Sequence, residues 1–312
     1  MFESIWQDIK REYNYGNMVT RLIIVNTAVF LLVNIVKLIF VLTQGFEPST
    51  TFTDIIRFFS LSSDWWFNLT HPWVIFTSMF LHEGFLHFLF NMLFLYWFGR
   101  IVGDLLGNQR ILPLYLLGGL MGAAFYLLFA STIYAGGGYA YGASGAVMAV
   151  VVASGMVAPE YNMRLLLIGD VKLKYVVFVL VLIDLIGIAN LSNTGGRIAH
   201  LGGALMGFLF VWQLRNGRDL SVNVNKILDS ISGFFTNLFR RDERRPKVVY
   251  RNPKADKEGK GAKRKVRGNR KSDAVDQSHQ ERLDAILEKI KKTGYDNLTE
   301  EEKEFLFNAS KK

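Results

Sequence analysis

From Leu22 to Leu42 the sequence is apolar over the ~20 residues that an α-helix needs to cross the hydrocarbon core of a bilayer. Lys10, Arg11 and Arg21 come before it. The preceding residues are too polar and acidic for a signal peptide, and no small-residue cleavage site closes the run, so it reads as a retained helix. Five further apolar segments follow, at Trp73–Phe98, Ile111–Ala130, Ser144–Pro159, Tyr175–Ile188 and Arg197–Leu214. The composition agrees: 50% hydrophobic residues, 20% charged, and 28 glycines against 6 prolines fit closely packed helices in lipid. A mean hydropathy of +0.20 argues against a soluble helical bundle. The expected fold class is an all-α polytopic membrane protein with six transmembrane helices. The chain has no cysteine, which excludes disulfides, thiolate zinc sites and cysteine nucleophiles.

Charge divides the chain in two. Residues 1–214 hold 11 Lys/Arg and 11 Asp/Glu, so the whole net charge of +9 lies beyond them. With the first helix running outward, residues 43–72, 131–143 and 189–196 fall on one side and carry Arg57 alone as a cation. The other side receives Lys10, Arg11, Arg21, Arg100, Arg110, Arg164, Lys172, Lys174 and the basic tail. That asymmetry predicts both termini in the cytoplasm. The loop over 43–72 is rich in aromatic residues, among them Phe58, Phe59, Trp65, Trp66 and Phe67, and is expected to lie partly at the headgroup level.

Several polar side chains interrupt these segments. His82, His87 and Asn91 lie in the second, where His87 and Asn91, four apart, share a helix face and His82 does not. Gly136, Gly137, Gly138, Gly142 and Gly145 surround Ser144 at the start of the fourth. Backbone N–H groups at such a helix start stabilise developing negative charge, so Ser144 is a candidate nucleophile. His200 lies in the sixth, followed by Gly203 and Gly207, whose spacing offers a smooth packing surface. A serine hydroxyl is a weak nucleophile until a neighbouring base accepts its proton, and His200 is the candidate base. The sequence sets no acid behind His200. Asp184 lies in the fifth segment with its orientation open, and a Ser-His dyad is the economical reading. The alternatives are polar residues that only join helices by hydrogen bonds, and a composite metal site of His82, His87 and His200.

His82-x-x-x-x-His87-x-x-x-Asn91, Gly142-Ala-Ser144-Gly145 and Ala199-His200-x-x-Gly203-x-x-x-Gly207, in that order, resemble the rhomboid family of intramembrane serine proteases. The tail resembles the cytoplasmic extension of Bacteroidetes-type members. The resemblance implies a six-helix bundle over residues 21–215 that cleaves membrane proteins in or near their transmembrane segments. It implies Ser144 and His200 as the catalytic pair. The Ser144 backbone N–H, Asn91 and His87 would surround the oxyanion, and His82, Gly142, Gly145, Gly203 and Gly207 would support the structure. No metal and no cofactor are implied. Three positions depart from the family pattern: Val74 follows Trp73 where arginine is frequent, Gly103 stands where glutamate is, and Met148 stands where some members have tyrosine. The alternative function is a non-catalytic chaperone or adaptor that binds transmembrane segments in the same cleft.

Outside the bundle, residues 1–20 read as a cytoplasmic segment and 216–243 as an amphipathic juxtamembrane helix. Residues 244–277 read as a basic linker, with 13 Lys/Arg over 244–271 against Asp256 and Glu258. Residues 278–312 read as a small helical hairpin. The linker is expected to attract anionic lipids. Nucleic acid is the weaker reading, because Tyr250 is its one aromatic residue. The expected location is the bacterial inner membrane.

Overall fold

The structure, a computed structural model, describes residues 2–44, 50–133, 138–165, 168–239, 283–291 and 297–309. The chain forms two units, residues 1–241 and 242–312. The first opens with α1 (Phe2–Tyr15), an amphipathic helix within the stretch read only as a cytoplasmic segment. Helix α2 (Met18–Thr43) follows, its first turn capped by the Asn17 side chain, which accepts the Thr20 N–H at 2.9 Å. Leu31, Leu32, Ile35, Leu38, Ile39 and Leu42 are each more than half exposed. A helix with that face bare is stable only against lipid.

The segment over 43–72 holds short regular structure: α3 (Thr50–Phe58), strand β1 (Leu61–Ser62) and α4 (Trp65–Thr70). Strand β1 pairs antiparallel with β2 (Tyr139–Ala140), so this segment reaches the turn ahead of Ser144. The apolar segment over Trp73–Phe98 is not one continuous helix. A turn of helix, α5 (Val74–Thr77), passes through a 3₁₀ turn at Ser78–Phe80 and extended backbone at Leu81 and Gly84 before α6 (Phe85–Leu106) begins. Gly84 caps α6 in an extended conformation, and His82 therefore precedes the spanning helix.

Helix α7 (Ile111–Ile133) is followed by α8 (Ser144–Val157), α9 (Leu173–Ala189) and α10 (Thr194–Arg215). Helices α2, α6, α7 and α10 are long and apolar enough to cross a membrane. The 14 residues of α8 extend only ~21 Å against a ~30 Å hydrocarbon core, so at least one of its ends lies inside the membrane. It is also well enclosed, with Gly145 through Val151 all buried. Arg164 and Lys172 lie on a hairpin that the sequence did not announce, β3 (Asn162–Leu165) paired with β4 (Gly169–Lys172). There Lys172 and Lys174 both bond Glu160 and hold its carboxyl down to about 2.

Glycines let α8, α7 and α10 pack almost backbone to backbone. A Cβ on Gly203 would lie 1.9 Å from the Gly145 carbonyl oxygen, and one on Gly207 would lie 2.2 Å from that of Ala149. From the other flank, a Cβ on Gly118 would meet the Ala149 methyl at 2.3 Å. Each would force backbones apart. Gly203→Ala should therefore lower stability by about 1–3 kcal/mol, seen as a lower thermal midpoint in detergent. An unchanged midpoint would show that the α8–α10 contact yields easily.

Helix α11 (Leu220–Phe239) follows α10. Arg110, ahead of α7, pairs with Asp219 at 2.7 Å, and the Asn225 amide donates to the Gln109 carbonyl at 3.2 Å. Val222, Ile227, Ile231 and Phe234 stay exposed along α11, the pattern of a helix lying on a membrane surface. In the second unit, helices α12 (283–291) and α13 (Glu300–Ala309) enclose Ile286 and Leu298. Thr299 and Glu302 form a reciprocal cap on α13. The basic run over 244–271, and Gly136 and Gly137 ahead of Ser144, lie outside the described residues.

Candidate active site

Several of the residues singled out by motif come together around one cavity of about 480 Å³. His87, Asn91, Ser144, Asp184 and His200 line it, drawn from α6, α8, α9 and α10. Phe90, Phe94, Val147, Met148, Leu180 and Ile183 supply its apolar wall. Polar groups converging in a mostly apolar cleft are the usual form of a small binding site.

Ser144 is the first residue of α8, and its neighbour Ala143 caps the helix. The first intrahelical bond runs from the Val147 N–H to the Ala143 carbonyl. Helix geometry therefore leaves the N–H groups of Ser144, Gly145 and Ala146 without intrahelical acceptors, at the positive end of the helix dipole. Gly142 has φ +131, and a Cβ there would lie 2.7 Å from the His87 ring. Only glycine allows both that backbone turn and that approach.

His82 is fully buried beneath this turn. Its Nε2 accepts the Ala143 N–H at 3.3 Å, which leaves Nδ1 to donate to the Phe80 carbonyl at 3.3 Å. The two bonds require a neutral ring with the proton on Nδ1. His82 does not line the cavity, whereas His87 does, so the motif's two histidines divide as their helical angles indicated. Asn91 donates one amide N–H to the His87 carbonyl at 2.8 Å, and its second N–H is left for another acceptor. Among the described residues, no three His, Asp or Glu side chains group as metal ligands, so the composite site of His82, His87 and His200 is not assembled.

Behind His200 the structure supplies what the sequence left open. Its Nδ1 lies 3.1 Å from both carboxylate oxygens of Asp184, a buried side chain on α9. Arg197 Nη1 is 3.3 Å from the same carboxylate, and its guanidinium also donates to the Ser192 and Ile183 carbonyls. A Cβ on Gly187 would lie 2.1 Å from that guanidinium, so this glycine makes room for Arg197. With Nδ1 directed at the acid, Nε2 is the ring nitrogen that remains for another partner. Among the hydrogen bonds of the described residues, none joins Ser144 to His200. Such bonds are often long before a substrate is bound. Sequence reasoning missed Asp184 as a partner of His200. The available signal was a lone carboxylate in an otherwise apolar helix, which is rarely present without a role.

The departures at the three pattern positions are mild. Met148 lines the cavity, and Val74 is fully buried. A Cβ on Gly103 would find ordinary contact with Ile111 at 3.8 Å.

Most of the residues that line this cavity fall in a stretch of the chain that is similar to known proteins. The profile of the rhomboid domain matches residues 69–217, and that of a family of unknown function, DUF6576, matches residues 275–312. The zebrafish (Danio rerio) presenilin-associated rhomboid-like protein A, mitochondrial, is 32% identical over 145 residues, covering 46% of this chain and 37% of the relative. RHOMBOID-like protein 12, mitochondrial, of Arabidopsis thaliana is 32% identical over 155 residues, covering 46% of each. Rhomboid protein 1, mitochondrial, of Saccharomyces cerevisiae is 30% identical over 139 residues, covering 44% and 40%. The chain thus spans less than half the length of the curated relatives it matches. Residues 69–217 of this chain form a rhomboid domain, and the three relatives, themselves named as rhomboid proteins, are similar to it over that region.

Proposed function

We propose that the protein is an intramembrane serine endopeptidase that hydrolyses peptide bonds in or near the transmembrane segments of membrane proteins. The observation that carries this reading is the convergence of Ser144, at the start of a buried helix, and His200, backed by Asp184, on one cavity. In the reaction, Ser144 Oγ attacks the scissile carbonyl carbon while His200 Nε2 takes its proton. The carbonyl oxygen becomes an oxyanion, and the Ser144 N–H, the Asn91 amide and His87 are the donors proposed to receive it. Collapse expels the amine, which takes the proton back from His200 and leaves an acyl-serine. Water, deprotonated by the same ring, then releases the acid and restores Ser144. Asp184 acts through His200, fixing its tautomer and balancing the imidazolium that forms.

The test is cleavage of a panel of single-pass membrane proteins by the purified protein, set beside Ser144→Ala. Binding without cleavage would favour the adaptor instead. Asn91→Ala should lower kcat roughly 10–1000-fold, because removing one oxyanion donor costs about 3 kcal/mol when others remain. An unchanged kcat with a lower thermal midpoint would assign Asn91 to packing alone.

The charge asymmetry supports both termini on the positively charged side. The named relatives are mitochondrial proteins and lend no support to the bacterial inner membrane expected from sequence. The basic run over 244–271 is proposed to attract anionic lipid headgroups. Full-length protein whose linker Lys/Arg are changed to Gln should lose salt-sensitive retention of its tail on anionic vesicles. Equal retention at low salt would refute the charge argument.

A further inference from the structure

Lys37 lies in α2, the most lipid-exposed of the spanning helices, about 9 Å from its outer end. An ammonium group there is unfavourable unless it finds a partner, and such groups usually mark function. Its Nζ is 2.5 Å from Glu83 Oε1 and 5.6 Å from the Phe52 ring of α3. The other oxygen of the same carboxylate, Oε2, accepts the Tyr141 hydroxyl at 3.1 Å. Burial, and then the Glu83 charge, pushes the Tyr141 phenol up to about 12, so it remains a donor. The three side chains thus link the first spanning helix, the break before α6 and the turn that carries Ser144.

That turn is held at several points. The Ser63 N–H donates to the Gly138 carbonyl, the Gly142 N–H to the Ser78 carbonyl at 2.8 Å, and the Ala143 N–H to His82. Each of these uses the backbone of the turn. Tyr141 to Glu83 is the hydrogen bond from a side chain of residues 138–143 among the described residues, and Tyr141 also faces the cavity. Tyr141 is next to Gly142 and three residues from Ser144, so a displacement of its ring shifts the N–H groups that open α8.

We propose that Lys37, Glu83 and Tyr141 form a positioning bridge through which the first spanning helix sets the turn before Ser144. The proposal rests on the serine endopeptidase reading. It gives α2, which contributes no residue to the cavity, a part in aligning the donors around the oxyanion. Glu83 orients Tyr141, and Lys37 holds Glu83 in place.

The test uses the full-length protein in detergent with a single-pass transmembrane reporter that the wild type cleaves. Tyr141→Phe, which removes one hydroxyl, and Glu83→Ala should each lower kcat about 10–100-fold, with KM within about threefold. The double variant should be no worse than the weaker single, as for groups acting as one unit. Glu83→Gln, whose amide oxygen still accepts a hydrogen bond, should recover part of the loss. Lys37→Met should fall in the same direction. A kcat within about twofold of wild type in Tyr141→Phe or Lys37→Met would overturn the bridge, as would losses that multiply in the double variant. So would losses that track the thermal midpoint alone. Ser144→Ala, run alongside, separates the two ideas: unaltered cleavage there sinks the serine reading itself.

Discussion

Purified Ser144→Ala and His200→Ala should each lose cleavage of transmembrane substrates while keeping the fold and membrane insertion of the wild type. A nucleophile and its base act as a unit, and loss of either removes most of about 10⁶-fold in kcat. The double variant should then be little worse than either single. Ser144 lies at a helix start next to Ala143, where alanine is sterically tolerated. Retention of more than about one-hundredth of wild-type activity in Ser144→Ala would end the serine mechanism. For His200→Ala the matching control is the thermal midpoint, since the change also strips Asp184 of one of its two partners.

The second large effect is expected at Asp184. Asp184→Asn keeps the size of the side chain but removes the charge that faces His200 Nδ1 at 3.1 Å. Without it the imidazole loses its fixed tautomer and the imidazolium loses its balancing charge. A fall of about 10²–10⁴ in kcat is expected, smaller than for Ser144→Ala. Arg197 remains held by the Ser192 and Ile183 carbonyls, so the local backbone should survive the change. Steady-state kinetics together with thermal unfolding in detergent check this. A kcat within about threefold of wild type would leave the site a simple dyad, with Asp184 serving Arg197 alone.

Much of this was legible in the residues. The membrane class followed from apolar length, and the spans at Leu22–Leu42 and Arg197–Leu214 sit within α2 and α10. Ser144, His87, Asn91 and His200 were visible because polar groups in apolar segments need a reason to be there. What escaped had physical causes. The break before α6 falls where His82, Glu83 and Gly84 interrupt the apolar run, a dip that marks polar groups without giving the course of the chain through them. Hydropathy reports burial in lipid or protein and is blind to the path of the backbone. Asp184 escaped because its orientation depends on the rotation of α9 against α10, a tertiary quantity that no local pattern encodes. The same holds for Lys37 and Glu83, which are 46 residues apart and meet only through packing.

The most direct measurement is covalent labelling of the intact protein with a fluorophosphonate, which phosphonylates activated serine hydroxyls, followed by mass spectrometry of the modified peptide. One adduct is expected, on Ser144 Oγ, formed by the wild type, strongly slowed in Asp184→Asn and absent in His200→Ala. Cleavage of a transmembrane substrate that continues at full rate with Ser144 unlabelled, or an adduct on another serine that blocks cleavage, would contradict it.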